Sequence, residues 1–151
     1  MKKKILIVLF LIIIGTVARS QAVVSEGSLK AAFIYRFIGF IEFKEEPPGY
    51  QVCIPDDTAL RAAIEEAMQG KMVNNKPITV TDSAGDCHIL ISDNVPPTNS
   101  VFTIGPLSKG ALLEFRIEDS KLRFAVSLKN IQNSQLKISS QLLKLAILEK
   151  G

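Results

Sequence analysis

Apolar residues follow two different periods along this chain, and the period changes from one segment to the next. Between Ser25 and Phe43 they recur at the spacing of an α-helix. The first stripe of this helix consists of Leu29, Ala32, Phe33, Phe37 and Phe40, and the second consists of Ala31, Ile34, Ile38 and Ile41. A surface helix needs only one apolar stripe. The pattern therefore predicts a helix that is nearly surrounded by its own domain, or one that packs against another chain through its second stripe.

The next segment has the pattern of a strand, a helix and a second strand. Gln51–Ile54 and Pro77–Thr81 are both rich in β-branched residues and are predicted to be strands. Between them a helix is predicted to begin at Asp57 or Thr58, either of which can cap it, and to end near Gln69. A crossover helix places the two strands side by side and parallel, with a right-handed connection.

The rest of the chain adds two more strands, a hairpin and a final helix. His88–Ile91 is a continuous apolar run, as expected where both faces of a sheet are covered, and Val101–Ile104 is a further strand. Leu112–Ile117 and Leu122–Leu128 alternate around a short polar turn and predict a β-hairpin. Apolar residues at helical spacing predict a closing helix from about Gln135 to Glu149.

These elements together predict an α/β domain with a Rossmann-like three-layer architecture. It has a mostly parallel sheet with helices on both faces, a C-terminal β-hairpin at one edge, and the closing helix.

The first twenty residues have the charge and hydrophobicity pattern of a secretory signal peptide. Lys2–Lys4 form a positive start, Ile5–Ile14 are an unbroken apolar run, and small residues at Ala18 and Ser20 suit cleavage after Ser20. Cleavage after Ala22 is the alternative. The rival interpretation is a retained membrane anchor, but the run is shorter than the roughly 20 residues that cross a bilayer. We therefore expect residues 1–20 to be a cleaved signal, residues 21–151 to be one domain, and the mature protein to work in the periplasm.

Removal of that segment changes the charge of the protein. The whole chain has a formal net charge of +3, but residues 1–20 hold four basic residues and no acidic one. Residues 21–151 carry 14 basic and 15 acidic residues, a net charge of −1. Such a chain lacks the basic surface with which proteins bind nucleic acid, so no nucleic-acid partner is expected.

The chain has two cysteines, Cys53 and Cys87. In an oxidising compartment an isolated pair most simply forms one disulfide. Closing a loop of that length stabilises a fold by roughly 3–4 kcal/mol in the chain-entropy model. Two buried free thiols are the alternative.

The sequence contains no convincing catalytic group. His88, the only histidine, lies beside Cys87, so the two could form a nucleophilic thiol and its base. Neighbouring strand residues point to opposite faces, however, and a structural role for His88 is favoured. One histidine and two cysteines are too few ligands for zinc, and no nucleotide-binding glycine motif or complete GxSxG triad appears. We therefore predict a protein that is not an enzyme and that has no catalytic residue, metal or cofactor.

Asp56 and Asp57 are the best candidates for a ligand site. They follow the first strand of the predicted sheet, at the edge where open α/β sheets place their ligands, and they can contact a ligand or a cation. Capping of the helix that follows explains at least one of them without any ligand.

Several segments together resemble the YfiR family of periplasmic regulatory proteins. The helix from Leu29 to Phe43 is similar to that family's opening motif, although many members carry Trp-Pro where this chain has Phe43-Lys44. The segments that follow in the expected order are Val52–Ile54, Gly70–Ile78, Cys87–Ser92 and Leu136–Ala146. The last of these is the most specific match. The resemblance spans about residues 26–148.

The resemblance implies a soluble periplasmic protein that forms a homodimer and restrains an inner-membrane signalling protein. In the best understood members that protein is a diguanylate cyclase, which implies control of cyclic-di-GMP, biofilm formation and adhesion. Cys53 and Cys87 lie where members carry a cysteine pair. A second pair, found in the later half of some members, is absent because residues 88–151 contain no cysteine. We therefore expect the Cys53–Cys87 pair to be mainly structural.

A domain with a doubly apolar helix and no catalytic cluster is suited to recognition of another chain. The residues selected for a partner-facing surface are Ile34, Ile38 and Ile41 of the second helical stripe, with Phe115, Glu118, Asp119, Lys121 and Arg123 of the hairpin. In the alternative, the stripe is internal and the hairpin charges are ordinary solvated turn residues. A second functional hypothesis is a periplasmic small-molecule sensor that works with a sensor kinase and uses Asp56 and Asp57.

Overall fold

The computed structural model describes residues 25–150, which form four helices, ten strands and one 3-10 turn. The predicted signal peptide, residues 1–20, lies outside the described residues. The elements in chain order are α1 (Glu26–Ile38), β1 (Ile41–Glu42), β2 (Tyr50–Cys53), α2 (Thr58–Met68), β3 (Met72–Val73), β4 (Lys76–Thr81), β5 (Ile89–Ile91), β6 (Phe102–Ile104), the 3-10 turn (Leu107–Lys109), β7 (Leu113–Glu118), β8 (Lys121–Ser127), α3 (Leu128–Gln132), β9 (Lys137–Ile138), α4 (Ser140–Leu145) and β10 (Ile147–Glu149).

Eight of the strands form one sheet in the order β10-β8-β7-β6-β5-β2-β4-β3. Five of its seven neighbouring pairs are parallel, and the two antiparallel pairs are the hairpins β7–β8 and β3–β4. β1 and β9 form a separate two-stranded antiparallel sheet. The mostly parallel sheet and the β7–β8 hairpin predicted from the sequence are confirmed.

Both faces of the central sheet are covered. Val52 and Ile89 are partners in register and belong to the main apolar core. The next residues along the same strands, Cys53 and Leu90, point to the opposite face because side chains alternate along a strand. They are nevertheless only 0 and 4 % exposed. This arrangement confirms the predicted three-layer α/β architecture.

α1 is shorter than predicted. It begins after Ser25, whose hydroxyl oxygen accepts a hydrogen bond from the Ser28 N–H at 3.1 Å and so caps the helix. It ends at Ile38 rather than at Phe43, because the chain turns at Gly39 and enters β1, which pairs with β9. The sequence alone does not show this pairing, since the partner strand lies near the other end of the chain.

The prediction that Ile34, Ile38 and Ile41 face a partner protein is wrong. Their side chains are 0, 0 and 7 % exposed, and all three belong to the apolar core. The first stripe is covered only in part, because Phe37 is buried and Phe33 is half-buried against aromatic rings of the hairpin, whereas Leu29 and Ala32 are exposed. The second stripe therefore packs inside its own domain, as in the alternative that the sequence left open, and the first stripe remains partly exposed.

The closing helix is also shorter than predicted. The region from Gln135 to Glu149 contains β9, the short helix α4 and β10. Ile138 pairs with Ile41 in the small sheet, and Ile147–Glu149 pairs in parallel with β8. These pairings with distant segments override the local helical spacing. β10 is thus the outermost strand at the hairpin end of the central sheet.

β3 is absent from the sequence prediction. It forms a small hairpin with β4 around Asn74 and Asn75, whose φ angles are +52° and +60°. Asparagine tolerates this left-handed backbone better than most residues, and two such residues suit a two-residue hairpin turn. The Asn-Asn pair was the available signal for this turn.

Candidate functional site

A crevice of about 380 Å³ lies at the carboxyl ends of β2, β5 and β6. The chain passes from β2 to β4 on one side of β2, and then to β5 on its other side. Open α/β sheets bind their ligands outside the strand ends at such a reversal of winding. The polar residues that line this carboxyl-end crevice are Lys30, Asp56, Asp57, Ser92, Asp93 and Glu114.

The two aspartates predicted as ligand contacts both line the crevice, and each has a partner within the fold. Asp57 Oδ1 accepts a hydrogen bond from the Leu60 N–H at 2.9 Å and caps α2, so the capping interpretation is confirmed for Asp57. Asp56 Oδ2 accepts a hydrogen bond from the Ser92 hydroxyl at 2.7 Å. This bond joins the loop after β2 to the end of β5 and fixes one wall of the crevice.

The shape of the crevice depends on a glycine directly after β6. A Cβ atom at Gly105 would lie 2.2 Å from the carbonyl oxygen of Ser92, which is too close for any side chain at this position. The Gly105 N–H also donates a hydrogen bond to the Leu113 carbonyl at 2.9 Å. The Ser92 N–H donates a hydrogen bond to the Ile104 carbonyl at 3.0 Å, so the loops after β5 and β6 are held together. No pattern in the sequence indicates this close approach.

The crevice is acidic and shares a wall with the hairpin. Four carboxylates and one lysine line it. Lys30 Nζ lies 2.8 Å from Glu26 Oε1 and 5.7 Å from the centroid of the Phe115 ring, and Glu114 Oε1 accepts a hydrogen bond from Arg116 Nε at 2.8 Å. Phe115 thus belongs both to the crevice and to the apolar side of the hairpin.

The hairpin packs on α1 through a cluster of four phenylalanines. The Phe115 ring lies 6.3 Å from Phe33 and 6.2 Å from Phe37, and Phe124 lies 4.8 Å from Phe37, measured between ring centroids. Cross-strand register places Phe115 opposite Phe124, on the same side of the hairpin. Aromatic contacts of this kind add to the burial of apolar area and fix the position of the hairpin.

The charged hairpin residues selected from the sequence lie elsewhere than Phe115. Glu118 pairs with Lys121 in the ladder, and Arg123 Nη1 lies 4.0 Å from Glu118 Oε2. All three side chains point to the face opposite Phe115, because residues alternate between the two faces. Asp119 lies in the turn with a φ of +51°. The structure therefore brings the four charged residues together at the hairpin tip but separates them from Phe115.

Exposed apolar residues beside the hairpin were not among those selected from the sequence. Ile117 is 57 % exposed and lies opposite Leu122. Leu29 of α1 is 40 % exposed and precedes by one helical turn Phe33, which contacts the Phe115 ring. Alternation puts Ile117 and Leu122 on the same side as Phe115. The hairpin apolar surface consists of Leu29, Phe33, Phe115, Ile117 and Leu122. The sequence showed the side to which Ile117 points, but not that α1 leaves it uncovered.

Cys53 and Cys87 form a disulfide with their Cα atoms 5.8 Å apart. His88, the next residue, has the structural role that the sequence favoured. Its Nδ1 accepts a hydrogen bond from the Gln51 N–H at 2.9 Å, and its ring packs against the edge of Phe43. Partial burial lowers the pKa of His88 below its ordinary value, although Asp86 opposes the shift. The disulfide and the histidine together anchor the loop that joins β4 to β5.

Within residues 25–150, no three His, Cys, Asp or Glu side chains are grouped so that they would hold a metal ion. The helices of the same region include none that is long and apolar enough to cross a membrane.

Comparison with known protein families identifies a match over most of the chain. The YfiR/HmsC-like family matches residues 27–147, which extend from α1 to the first residue of β10. No curated protein matches the chain. The family resemblance inferred from the sequence segments is thereby confirmed.

Proposed function

Because this chain belongs to the YfiR/HmsC-like family, we propose that it is a periplasmic protein that restrains an inner-membrane diguanylate cyclase. In this proposal residues 1–20 are a cleaved signal, and residues 21–151 are a single domain that forms a homodimer and controls cyclic-di-GMP output. The family match over residues 27–147 is the observation that carries the proposal.

The hairpin apolar surface is the part of the described chain best suited to contact the cyclase. Ile117 and Leu29 remain exposed although the domain has a large buried core. Exposed apolar residues that lie together, with charged residues around them, are typical of protein interaction sites. Glu118, Lys121 and Arg123 supply charges at the neighbouring hairpin tip. We propose Ile117 as the centre of the contact. The three charges point to the opposite face of the hairpin, so we propose that a partner reaches them only by extending around the hairpin tip.

Restraint of a cyclase requires a difference in affinity between two states of the partner. The regulator must bind the inactive state of the periplasmic domain more tightly than the active state. A tenfold preference shifts that equilibrium by about 1.4 kcal/mol. The regulator needs no reactive group for this role, in keeping with the structural use of Asp57 and His88 described above.

Photo-crosslinking in the native host tests this proposal. A benzoylphenylalanine residue at position 117 is compared with one at position 72, because Met72 is also exposed, at 58 %, but lies at the other end of the central sheet. We expect position 117 to crosslink to a membrane protein that has a periplasmic domain and a diguanylate cyclase domain, and position 72 not to do so. Equal crosslinking from both positions, or none from position 117, would contradict the proposed surface.

Processing of the N-terminus is tested separately. We expect the protein purified from the periplasmic fraction to begin at Gln21, as determined by N-terminal sequencing. A mature protein that begins at Val23 would indicate cleavage after Ala22. An intact N-terminus in the membrane fraction would support a retained anchor.

A second candidate function is small-molecule sensing together with a sensor kinase. The observation that favours it is the carboxyl-end crevice, whose volume of about 380 Å³ suits a small ligand and whose wall includes Phe115 of the hairpin. A ligand in the crevice would thus contact the same aromatic residue that supports the hairpin apolar surface. Thermal unfolding with a panel of amino acids and polyamines tests this candidate. A stabilisation that is lost in Asp56→Asn would support it, and no stabilisation by the panel would count against it.

A further inference from the structure

β4 has an open edge along its last four residues. β3 pairs only with Lys76 and Pro77, whereas β2 pairs with Ile78–Thr81 from the other side. Within the part of the chain that the structure describes, no strand pairs with the outer side of Ile78–Thr81. This edge lies at the end of the central sheet opposite the hairpin.

The backbone of Val80 points toward this open side. The Ile54 N–H donates a hydrogen bond to the Thr81 carbonyl at 2.9 Å, so Thr81 directs its backbone groups toward β2. N–H and C=O groups alternate in direction from one strand residue to the next. The N–H and C=O of Val80 are therefore available for a further strand.

The open stretch lacks the features that usually protect a sheet edge. Natural edges are commonly blocked by lysine, proline, bulges or very short strands. Lys76 and Pro77 precede the open stretch and are already paired with β3. The open residues read Ile-Thr-Val-Thr, contain no charge or proline, and have strong β propensity. They form a template for another extended segment.

A groove of about 610 Å³ follows this edge. Ile78 and Val80 line it from the strand, Glu65 and Glu66 line it from α2, and Gln69 lines it directly after the end of α2. Domains that bind extended peptides commonly use a strand edge, where backbone hydrogen bonds supply affinity and alternate side chains supply specificity. The α2 side of the groove would contact every second side chain of an added strand.

Charge distinguishes between the possible occupants. Glu65 and Glu66 are exposed, and neither forms an ion pair with another residue in the range 25–150. A second copy paired edge to edge would place its own Glu65 and Glu66 beside the first pair, which is unfavourable. Basic side chains would instead be attracted. We propose that the open edge of β4 binds an extended segment of a partner protein with basic residues at alternate positions.

NMR titration of the mature protein tests this site with two defined peptides, acetyl-(Lys-Val)4-amide and acetyl-(Glu-Val)4-amide. We expect saturable binding of the basic peptide, with the largest amide shifts and new exchange protection at Val80 and its neighbours, and no binding of the acidic peptide. No binding of the basic peptide, equal binding of both peptides, or shifts confined to another surface would overturn the proposal.

Two variants separate the backbone contribution from the charge. Val80→Pro removes an outward N–H without removing a hydrogen bond to β2, so we expect a folded protein that binds the basic peptide at least tenfold more weakly. The double variant Glu65→Lys, Glu66→Lys should bind the acidic peptide instead of the basic one. If Val80→Pro does not fold, this double variant alone tests whether the peptide binds at the open edge of β4. Glu45→Lys, an exposed reversal outside the groove, is the matched control, and an equal loss of binding in this control would overturn the proposal.

Discussion

Gln51 and His88 exchange two hydrogen bonds that join β2 to the residue before β5. The His88 N–H donates to the Gln51 carbonyl at 3.0 Å, and the Gln51 N–H donates to Nδ1 of the His88 ring at 2.9 Å. The imidazole nitrogen thus takes the place of a backbone acceptor. A protonated ring has no acceptor, so this contact exists only while the histidine is neutral.

Stability is therefore expected to decrease in mild acid. Burial lowers the pKa of His88 from its ordinary value of 6.5 in the folded protein, with Asp86 opposing the shift. As the pH falls below 6.5, the unfolded chain takes up a proton before the folded one does, which favours unfolding. The loss of free energy of unfolding grows until the pH falls below the pKa of His88 in the folded protein, and it is constant at lower pH. Urea unfolding at several pH values between 8 and 5 measures it.

His88→Asn is the control for that experiment. The side-chain oxygen of asparagine can accept the Gln51 hydrogen bond but does not titrate. We expect this variant to lose the part of the pH dependence that lies just below pH 6.5. An unchanged pH profile would show that His88 is not responsible.

The disulfide is expected to be a structural link. Cys53 and Cys87 are 34 residues apart, so their bond should stabilise the fold by about 3–4 kcal/mol in the chain-entropy model. Cys87→Ser should lower the free energy of unfolding by about this amount relative to the oxidised wild type. The difference should vanish in reducing buffer, where the wild type also lacks the bond. An equal deficit in both buffers would assign the effect to side-chain packing.

Asp57 is expected to stabilise the domain through α2. Asp57→Ala removes the acceptor for the Leu60 N–H and should reduce the free energy of unfolding by about 1 kcal/mol. Asp57→Asn keeps the acceptor and should be close to the wild type. Thermal and urea unfolding of both variants measure the effect. If both variants lose the same stability, the carboxylate charge rather than the cap is important.

Ile117 and Ile38 should respond differently to the same substitution. Ile38 is fully buried, so Ile38→Asp places a carboxylate in the core and should unfold the protein. Ile117 is 57 % exposed, so Ile117→Asp should change the free energy of unfolding by no more than about 0.5 kcal/mol. Circular dichroism during thermal unfolding compares the two variants. A folded Ile38→Asp variant would contradict the assignment of this stripe to the core.

Local signals in the sequence were sufficient for some elements in the first half of the chain, although not for β1 or β3. β2, α2 and β4 follow from short β-branched segments and from the cap at Asp57, and these signals act between neighbouring residues. β10 was missed because its pairing with β8 connects residues that are distant in the chain. Its apolar residues fit a helix equally well until that pairing is known.

The candidate site was predictable only in part, for a similar reason. Asp56 was found because it directly follows a strand, but its partner Ser92 is 36 residues away along the chain. The stripe of Ile34 and Ile38 was wrongly assigned to a partner contact. The spacing of apolar residues shows which side chains are buried, but not whether the same chain or another chain buries them. The exposure of Ile117 likewise depends on how far α1 extends over the hairpin.

Cellular cyclic-di-GMP tests the proposed restraint of a diguanylate cyclase most directly. It is measured in the native host after deletion of this gene, and after complementation with the wild type, Ile117→Asp or Met72→Asp. We predict that deletion raises cyclic-di-GMP and that the wild type and Met72→Asp restore the original level, whereas Ile117→Asp, present at the same abundance, does not. An unchanged cyclic-di-GMP level in the deletion strain would contradict this prediction.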